Sequence, residues 1–240
     1  MVIIKKHLKK LKHLVFIGNN SFDNCFNPII ILFYNICMKY KWLNHKNNQK
    51  LIVFFNGWGM DECVVNHLLF DDYDVLMFYD YNTIETDFNF ESLNSYIKKY
   101  LIAWSMGVMT ATLFDIDYTS KTAINGTLNP IDDKFGIPNR IYNLTLKGFS
   151  PKGAERFIKT MYKESSEYIY PKREFKNQKS ELEALMHYQA NQEFKYNRVI
   201  ISSEDKIIPT KNQCAFWGIE PNTDSGHAPF NCFKKWSELL

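Results

Sequence analysis

The chain has 240 residues, of which 45% are hydrophobic, which suits one domain of moderate size with a sizeable core. A formal net charge of +3 at pH 7 is too small to argue for nucleic-acid binding by bulk electrostatics. The five cysteines are dispersed with no Cys-x-x-Cys pair, which argues against a zinc site or disulfide framework and for buried structural thiols in a reducing cytosol.

Residues 1–48 differ in character from the rest of the chain. Lys5, Lys6, Lys9, Lys10 and Lys12 make the opening basic, and an apolar run from Pro28 to Met38 is broken by Asn35. That run is shorter than the about 20 apolar residues a bilayer span needs, so no stable membrane span is expected. It also lacks the long apolar core and small-residue cleavage site of a secretory signal. The segment reads as an extension outside the catalytic fold, as a surface-lying amphipathic helix, or as an upstream start to the frame, with Met38 as the alternative start.

Leu51 to Phe55 is a continuous apolar run, as a buried parallel strand reads, and the turn Asn56-Gly57-Trp58-Gly59-Met60-Asp61 comes directly after it. Asp74 to Tyr79 reads as a second strand ending at Asp80, and Phe90 to Tyr100 shows helical spacing through Leu93, Tyr96 and Ile97. Next comes Leu101-Ile102-Ala103-Trp104-Ser105-Met106-Gly107, a variant of G-x-S-x-G with Ala103 in place of the first glycine. In that motif a strand turns sharply into a helix and exposes the serine at the apex, so small residues are needed at −2 and +2, where the two backbones pass close. A helix from Met106 to about Phe114 and a strand at 122–126 complete the first part of the core, 49–126.

From 127 to 197 the pattern becomes helical pieces punctuated by Pro130, Pro138, Pro151 and Pro171, with helix candidates at Lys152–Tyr168 and Glu181–Tyr196. An all-helical insertion of this kind forms a lid over a strand-end site. Residues 198–240 return to the core: a strand at 198–202, the loop Ser203 to Pro209, a short strand near Ile219, the loop Ser225 to Phe230, and a helical C-terminus from Cys232. The fold class is therefore α/β, with a mostly parallel central sheet, a helical lid and a shortened set of flanking helices.

Ser105, Asp205 and His227 each lie just after a predicted strand, and their order along the chain is that of the α/β-hydrolases. Serine is a poor nucleophile unless a base takes its proton, histidine is such a base near neutral pH, and a carboxylate fixes its tautomer. Glu204 competes as the acid, but Asp205 opens the Asp-x-Ile-Ile-Pro pattern where the chain leaves the strand. An oxyanion hole needs two preorganised N–H donors, and Met106 after the nucleophile and Trp58 in the first turn occupy those places. Trp58 and Trp104 are placed either to wall an apolar acyl channel or to pack in the core or its rim. Lys152, Arg156, Lys159 and Lys163 recur at helical spacing, as a docking stripe for an acidic partner or as a solvated face interleaved with Glu155, Glu164 and Glu167.

Phe-Phe-Asn-Gly-Trp-Gly-Met-Asp at 54–61, Ala-Trp-Ser-Met-Gly-Val at 103–108 and Gly-His-Ala-Pro-Phe at 226–230 together resemble the pimeloyl-[acyl-carrier protein] methyl ester esterases of biotin synthesis. Asn-Gly-Trp-Gly, in place of His-Gly-Trp-Gly, is similar to the BioG type, and the resemblance covers about residues 49–240. It implies an α/β-hydrolase fold and a cytoplasmic serine carboxylesterase that needs no metal or cofactor. Ser105 is then nucleophile, His227 base, Asp205 orienting acid, and Trp58 and Met106 oxyanion donors. It further implies that the lid binds an acyl carrier protein bearing a pimeloyl methyl ester through basic residues, for which Arg156 and Lys159 of the stripe are the candidates. A monomer is expected. Two rival readings remain: a thioesterase or short-chain carboxylesterase on the same residues, and a catalytically silent binding protein of this fold.

Overall fold

The computed structural model describes residues 37–163 and 167–240. The basic opening at Lys5–Lys12 and most of the Pro28–Met38 run lie outside the described residues. Among the described residues no helix is long and apolar enough to cross a membrane.

Among the described residues six strands form one sheet: β1 (Lys39–Asn44), β2 (Lys50–Phe55), β3 (Tyr73–Tyr79), β4 (Lys98–Trp104), β5 (Ser120–Ile124) and β6 (Arg198–Ile200). Their spatial order is β1-β3-β2-β4-β5-β6, and every pairing is parallel except that of β1 with β3. The α/β class with a mostly parallel sheet is thus present, closed at one edge by an antiparallel strand. The period-2 pleat divides the apolar runs between the two faces. Val53, Phe55, Leu76, Phe78 and Leu101 pack on one side, and Ile52, Phe54, Val75, Met77 and Ile102 on the other. These residues are wholly buried, which is why the strands read as unbroken apolar runs.

Among the described residues the five α-helices are α1 (Met106–Thr110), α2 (Asn139–Gly148), α3 (Pro151–Met161), α4 (Phe175–Leu185) and α5 (Thr210–Trp217). The expected trimming of flanking helices is visible: only 3-10 turns at Glu62–Val64 and Phe90–Ser95 cross between strands β2 to β3 and β3 to β4. Between β5 and β6 the described residues hold α2, α3 and α4 and no strand of the sheet.

Several expectations need correction. The segment read as an extension to residue 48 contains β1, so the sheet begins at Lys39. Alternating lysines hid this strand, and they suit a strand that stands at the edge of the sheet among the described residues. The helix expected at Phe90–Tyr100 is a 3-10 turn followed by β4, because pairing of Lys50 with Lys98 draws the chain into the sheet; Ile97 is left 70% exposed. The helix expected at Glu181–Tyr196 is instead α4, ending at Leu185. The loop beyond it is tied down by Asn191 N–H to Thr112 Oγ1 (2.9 Å) and Tyr196 Oη–H to Val108 O (2.8 Å). The strand near Ile219 reduces to one bridge between Ser202 and Thr223, and the C-terminus forms 3-10 turns at Pro229–Cys232 and Trp236–Leu239. Cys232 is exposed rather than buried.

One packing contact fixes how the first helix leaves the sheet. A Cβ on Gly107 would stand 2.3 Å from Phe55 O and 2.6 Å from Asn56 O. Both are buried backbone atoms where β2 ends against β3 and β4, and they cannot give way. Gly107→Ala is therefore expected to cost at least about 3 kcal/mol, at the upper end of overpacking penalties, and urea unfolding checks it.

Candidate active site

β4 ends in a forced turn. Ser105 sits at φ 56°, ψ −123°, in a region that costs an L-residue about 1–3 kcal/mol and persists only where its surroundings impose it. Here Ser105 N–H donates to Ile124 O (2.9 Å), its own carbonyl accepts from Val108 N–H (3.0 Å), and α1 runs against the end of β2. The serine is buried from bulk solvent but lines a cavity.

His227 reaches this serine from the last loop. Its Nε2 lies 2.8 Å from Ser105 Oγ, and its Nδ1 lies 2.7 Å from Asp205 Oδ2. Asp205, not Glu204, is the acid in contact; Glu204 turns outward to Lys163 (2.8 Å). Asp205 Oδ1 accepts from Ile207 N–H (2.9 Å) and Ile208 N–H (3.0 Å), which curls the Asp-x-Ile-Ile-Pro loop around the carboxylate. The other histidines near the core are otherwise engaged: His67 Nε2 lies 2.9 Å from Phe230 O, and His45 stacks on Trp42.

Sequence reading passed over two residues that hold this chain of contacts. Gln213 of α5 is wholly buried and donates through Nε2 to Asp205 Oδ2 (2.8 Å) and to Ile208 O (2.7 Å). Asn125, at the end of β5 with φ 43°, donates through Nδ2 to His227 O (2.9 Å) and Ser202 Oγ (2.7 Å), while its Oδ1 accepts from Ser202 N–H (2.8 Å). Asn125-Gly126 reads as an ordinary exit turn, although an asparagine tolerates left-handed backbone and so carried a faint signal. Gln213 gave none. Trp104 also has a more specific role than channel wall or rim: its Nε1–H donates to His227 O (2.8 Å) while its ring lines the cavity.

The turn after β2 faces the serine. Gly57 N–H donates to Asn56 Oδ1 (2.9 Å), Met60 N–H to Gly57 O (3.3 Å) and Gly59 N–H to Glu181 Oε2 (3.0 Å). Among the described residues the Trp58 backbone N–H makes no hydrogen bond. Trp58 and Met106 both line the cavity beside Ser105 and His227. The cavity is about 370 Å³ and largely apolar, with Leu144, Phe149, Phe157 and Met161 from the helical insertion among its walls. Arg156 lines it as well, and its guanidinium has no partner among the described residues. The rest of the expected basic stripe separates. Lys159 pairs with Glu155 (2.7 Å) away from the cavity, and Lys163 lies past the end of α3. Among the described residues no cluster of side chains is arranged to hold a metal ion.

A family model described as "Pimeloyl-ACP methyl esterase BioG" matches residues 38–239. The crystal structure of BioG from Haemophilus influenzae is 32% identical with a TM-score of 0.74, and the match covers 84% of this chain and 99% of that one. A malonyl-[acyl-carrier protein] O-methyltransferase of Bacteroides fragilis is 34% identical over 181 residues, which is 70% of this chain and 36% of that protein. MGS-M2, an alpha/beta hydrolase from a Medee basin deep-sea metagenome library, shares the fold at a TM-score of 0.54 with 14% identity over 80% of this chain and 87% of its own.

Because Asn125 ties the His227 loop to both β5 and the start of the Asp205 loop, Asn125→Ala strands several buried polar partners. A loss of about 2–4 kcal/mol is expected from two or three such bonds, checked by chemical denaturation.

Proposed function

This chain belongs to the BioG family of pimeloyl-ACP methyl esterases, and on that premise we propose that it is a serine carboxylesterase. In this reading it hydrolyses the methyl ester of pimeloyl-[acyl-carrier protein] to the free acid and methanol, in biotin synthesis. The observation that carries the reading is the unbroken contact from Ser105 Oγ through His227 to Asp205, at 2.8 and 2.7 Å, on the wall of an apolar cavity.

The chemistry follows from that geometry. Ser105 Oγ attacks the ester carbonyl as its proton passes to His227 Nε2, and Asp205 supports the imidazolium through Nδ1. The oxygen that becomes negative is taken by the N–H groups of Trp58 and Met106. Collapse of the tetrahedral adduct breaks the bond to the methoxy oxygen, which leaves as methanol with the proton from His227. Water, deprotonated by the same imidazole, then attacks the acyl-enzyme, and a second collapse returns Ser105 and the acid.

The partner reading rests on Arg156 at the cavity and on the Bacteroides fragilis relative, whose name joins a methyltransferase to a malonyl carrier protein. Methylation of a carrier-bound diacid is the step that makes the ester proposed as substrate here. With such a carrier-bound intermediate as its proposed substrate, we infer a cytoplasmic location for the enzyme.

Methanol release from pimeloyl-carrier protein methyl ester is the direct test. Ser105→Ala is expected to lower kcat by about 10⁴-fold or more, as loss of a serine nucleophile does elsewhere. Wild type that turns over simple aryl esters or acyl thioesters but not this substrate would keep the nucleophile and remove the substrate assignment. Arg156→Glu is expected to raise KM for the carrier-linked ester about tenfold, through lost charge complementarity, and to raise it far less for a small soluble ester. Lys159→Glu, away from the cavity, should do less than Arg156→Glu.

A further inference from the structure

A buried carboxylate of the helical insertion grips the turn that carries Trp58. Glu181 of α4 is wholly buried. Its Oε2 accepts from Gly59 N–H (3.0 Å) and its Oε1 from Tyr81 N–H (2.8 Å), so one side chain holds the exit turns of β2 and β3 together. Each turn has left-handed backbone beside the gripped N–H: Gly59 at φ 73° and Asp80 at φ 65°.

The surrounding charges are arranged for this carboxylate. Arg173 Nη1 lies 2.6 Å from Glu181 Oε2, and its Nη2 lies 3.0 Å from Asp80 Oδ1. Asp80 also meets Lys39 Nζ of β1 (3.0 Å) and the amide of Asn177. Burial raises the Glu181 pKa, and the attraction of Arg173 and the two N–H groups oppose that rise. A salt bridge alone would need only Arg173. The two backbone donors are what make the position specific.

The turn offers little else to fix its middle peptide. Residues 57–60 close through Met60 N–H to Gly57 O, with the positive φ at the third position that marks a type II turn. The middle peptide, Trp58–Gly59, carries the Trp58 carbonyl and the Gly59 N–H and directly follows the peptide that bears the Trp58 N–H. Glu181 holds the Gly59 N–H end. Gln178, also on α4, donates through its side chain to Gly59 O (2.9 Å) and accepts the Trp58 indole N–H at its backbone carbonyl (2.7 Å).

We propose that Glu181 is a positioning residue for the reaction: its grip on Gly59 N–H, shared with Tyr81 N–H, anchors the residue next to Trp58 and so holds the turn where the Trp58 N–H faces the oxyanion. The inference rests on the hydrolase reading above, but not on the identity of the acyl carrier. Misplacing an oxyanion donor weakens the transition state more than the bound ester, so the loss should fall on kcat.

The test uses the full chain, a short-chain p-nitrophenyl ester, and a fluorophosphonate to count reactive Ser105. Glu181→Asp keeps the charge beside Arg173 but is one methylene short of both N–H groups; Glu181→Gln keeps the reach but offers one acceptor instead of two. Both are expected to lower kcat per titrated site by about 30- to 100-fold, near the range for loss of one oxyanion donor, with KM within about threefold. Affinity for an alkyl trifluoromethyl ketone, whose adduct with serine bears an oxyanion, should weaken by the same factor. If Glu181→Gln fails to fold, Glu181→Asp carries the test. A kcat per titrated site and a ketone affinity within threefold of wild type, with only Tm or the titrated fraction lowered, would reduce Glu181 to a structural role and overturn the inference. Wild type that neither takes the label nor cleaves the ester would overturn the hydrolase reading as well.

Discussion

The left-handed backbone at Ser105 is the constraint on which the rest of the site depends. An isolated serine avoids that conformation, so neighbours at the ends of two strands have to hold it. Ile124 O at the end of β5 takes its N–H, and α1 is pressed so closely onto the end of β2 that only a glycine fits at 107. The same crowding brings the β2 exit turn, the elbow and the β5 exit within reach of one another. Asn125, one residue past Ile124, can therefore tie the His227 loop to the strand that braces the serine. Backbone geometry and side-chain alignment are set by the same few contacts.

The helical insertion is fastened to this frame in two different ways. α4 is held by a buried ionic and hydrogen-bonded cluster through Glu181, Arg173 and Asp80. Burying such charges is costly, and the cluster survives because each oxygen of Glu181 has a donor and Arg173 meets two carboxylates and the side-chain carbonyl of Asn177. α3 and the corner before it are held through rings instead: Trp58 packs on Phe149 and Phe157, and Phe149 stacks on Phe175 of α4. Directional bonds fix α4 against the strand exits, whereas apolar contacts tolerate small sliding at the cavity wall. Trp58 is common to both, with its indole N–H on Gln178 O and its ring among the phenylalanines.

Long apolar runs made β2, β3 and β4 legible, because a strand buried on both faces leaves no polar interruption. The elbow and the loops of Asp205 and His227 were legible because turn chemistry is local: small residues flank Ser105, and Asp205 caps its own loop at Ile207 and Ile208. What failed was decided by distant partners. β1 alternates lysine with aromatic residues and becomes a strand only because β3 offers an open edge. Helical spacing at Leu93, Tyr96 and Ile97 lost to the ladder with β2. Gln213 and Glu181 look like ordinary polar helix residues; their roles arise from Asp205 and Gly59, neither of which the helical pattern around them reveals. The basic stripe on α3 illustrates the reverse error. Spacing put four cations in line, but the helix ends before Lys163 and Glu155 engages Lys159, so Arg156 is the one that lines the cavity.

An ester and its acid differ by one charge near neutral pH, and the cavity beside Ser105 treats the two differently. Its walls are mostly leucine, isoleucine, methionine and aromatic side chains, which accept a neutral methyl ester and the methylene chain behind it. A carboxylate among those side chains would lose its hydration without a partner, at a cost of roughly several kcal/mol. Arg156 and Lys206 are the permanent cations of the lining, and Lys206 is exposed to solvent. In the proposed reaction the newly formed acid is therefore disfavoured where it is made and drawn toward cations that remain in contact with water.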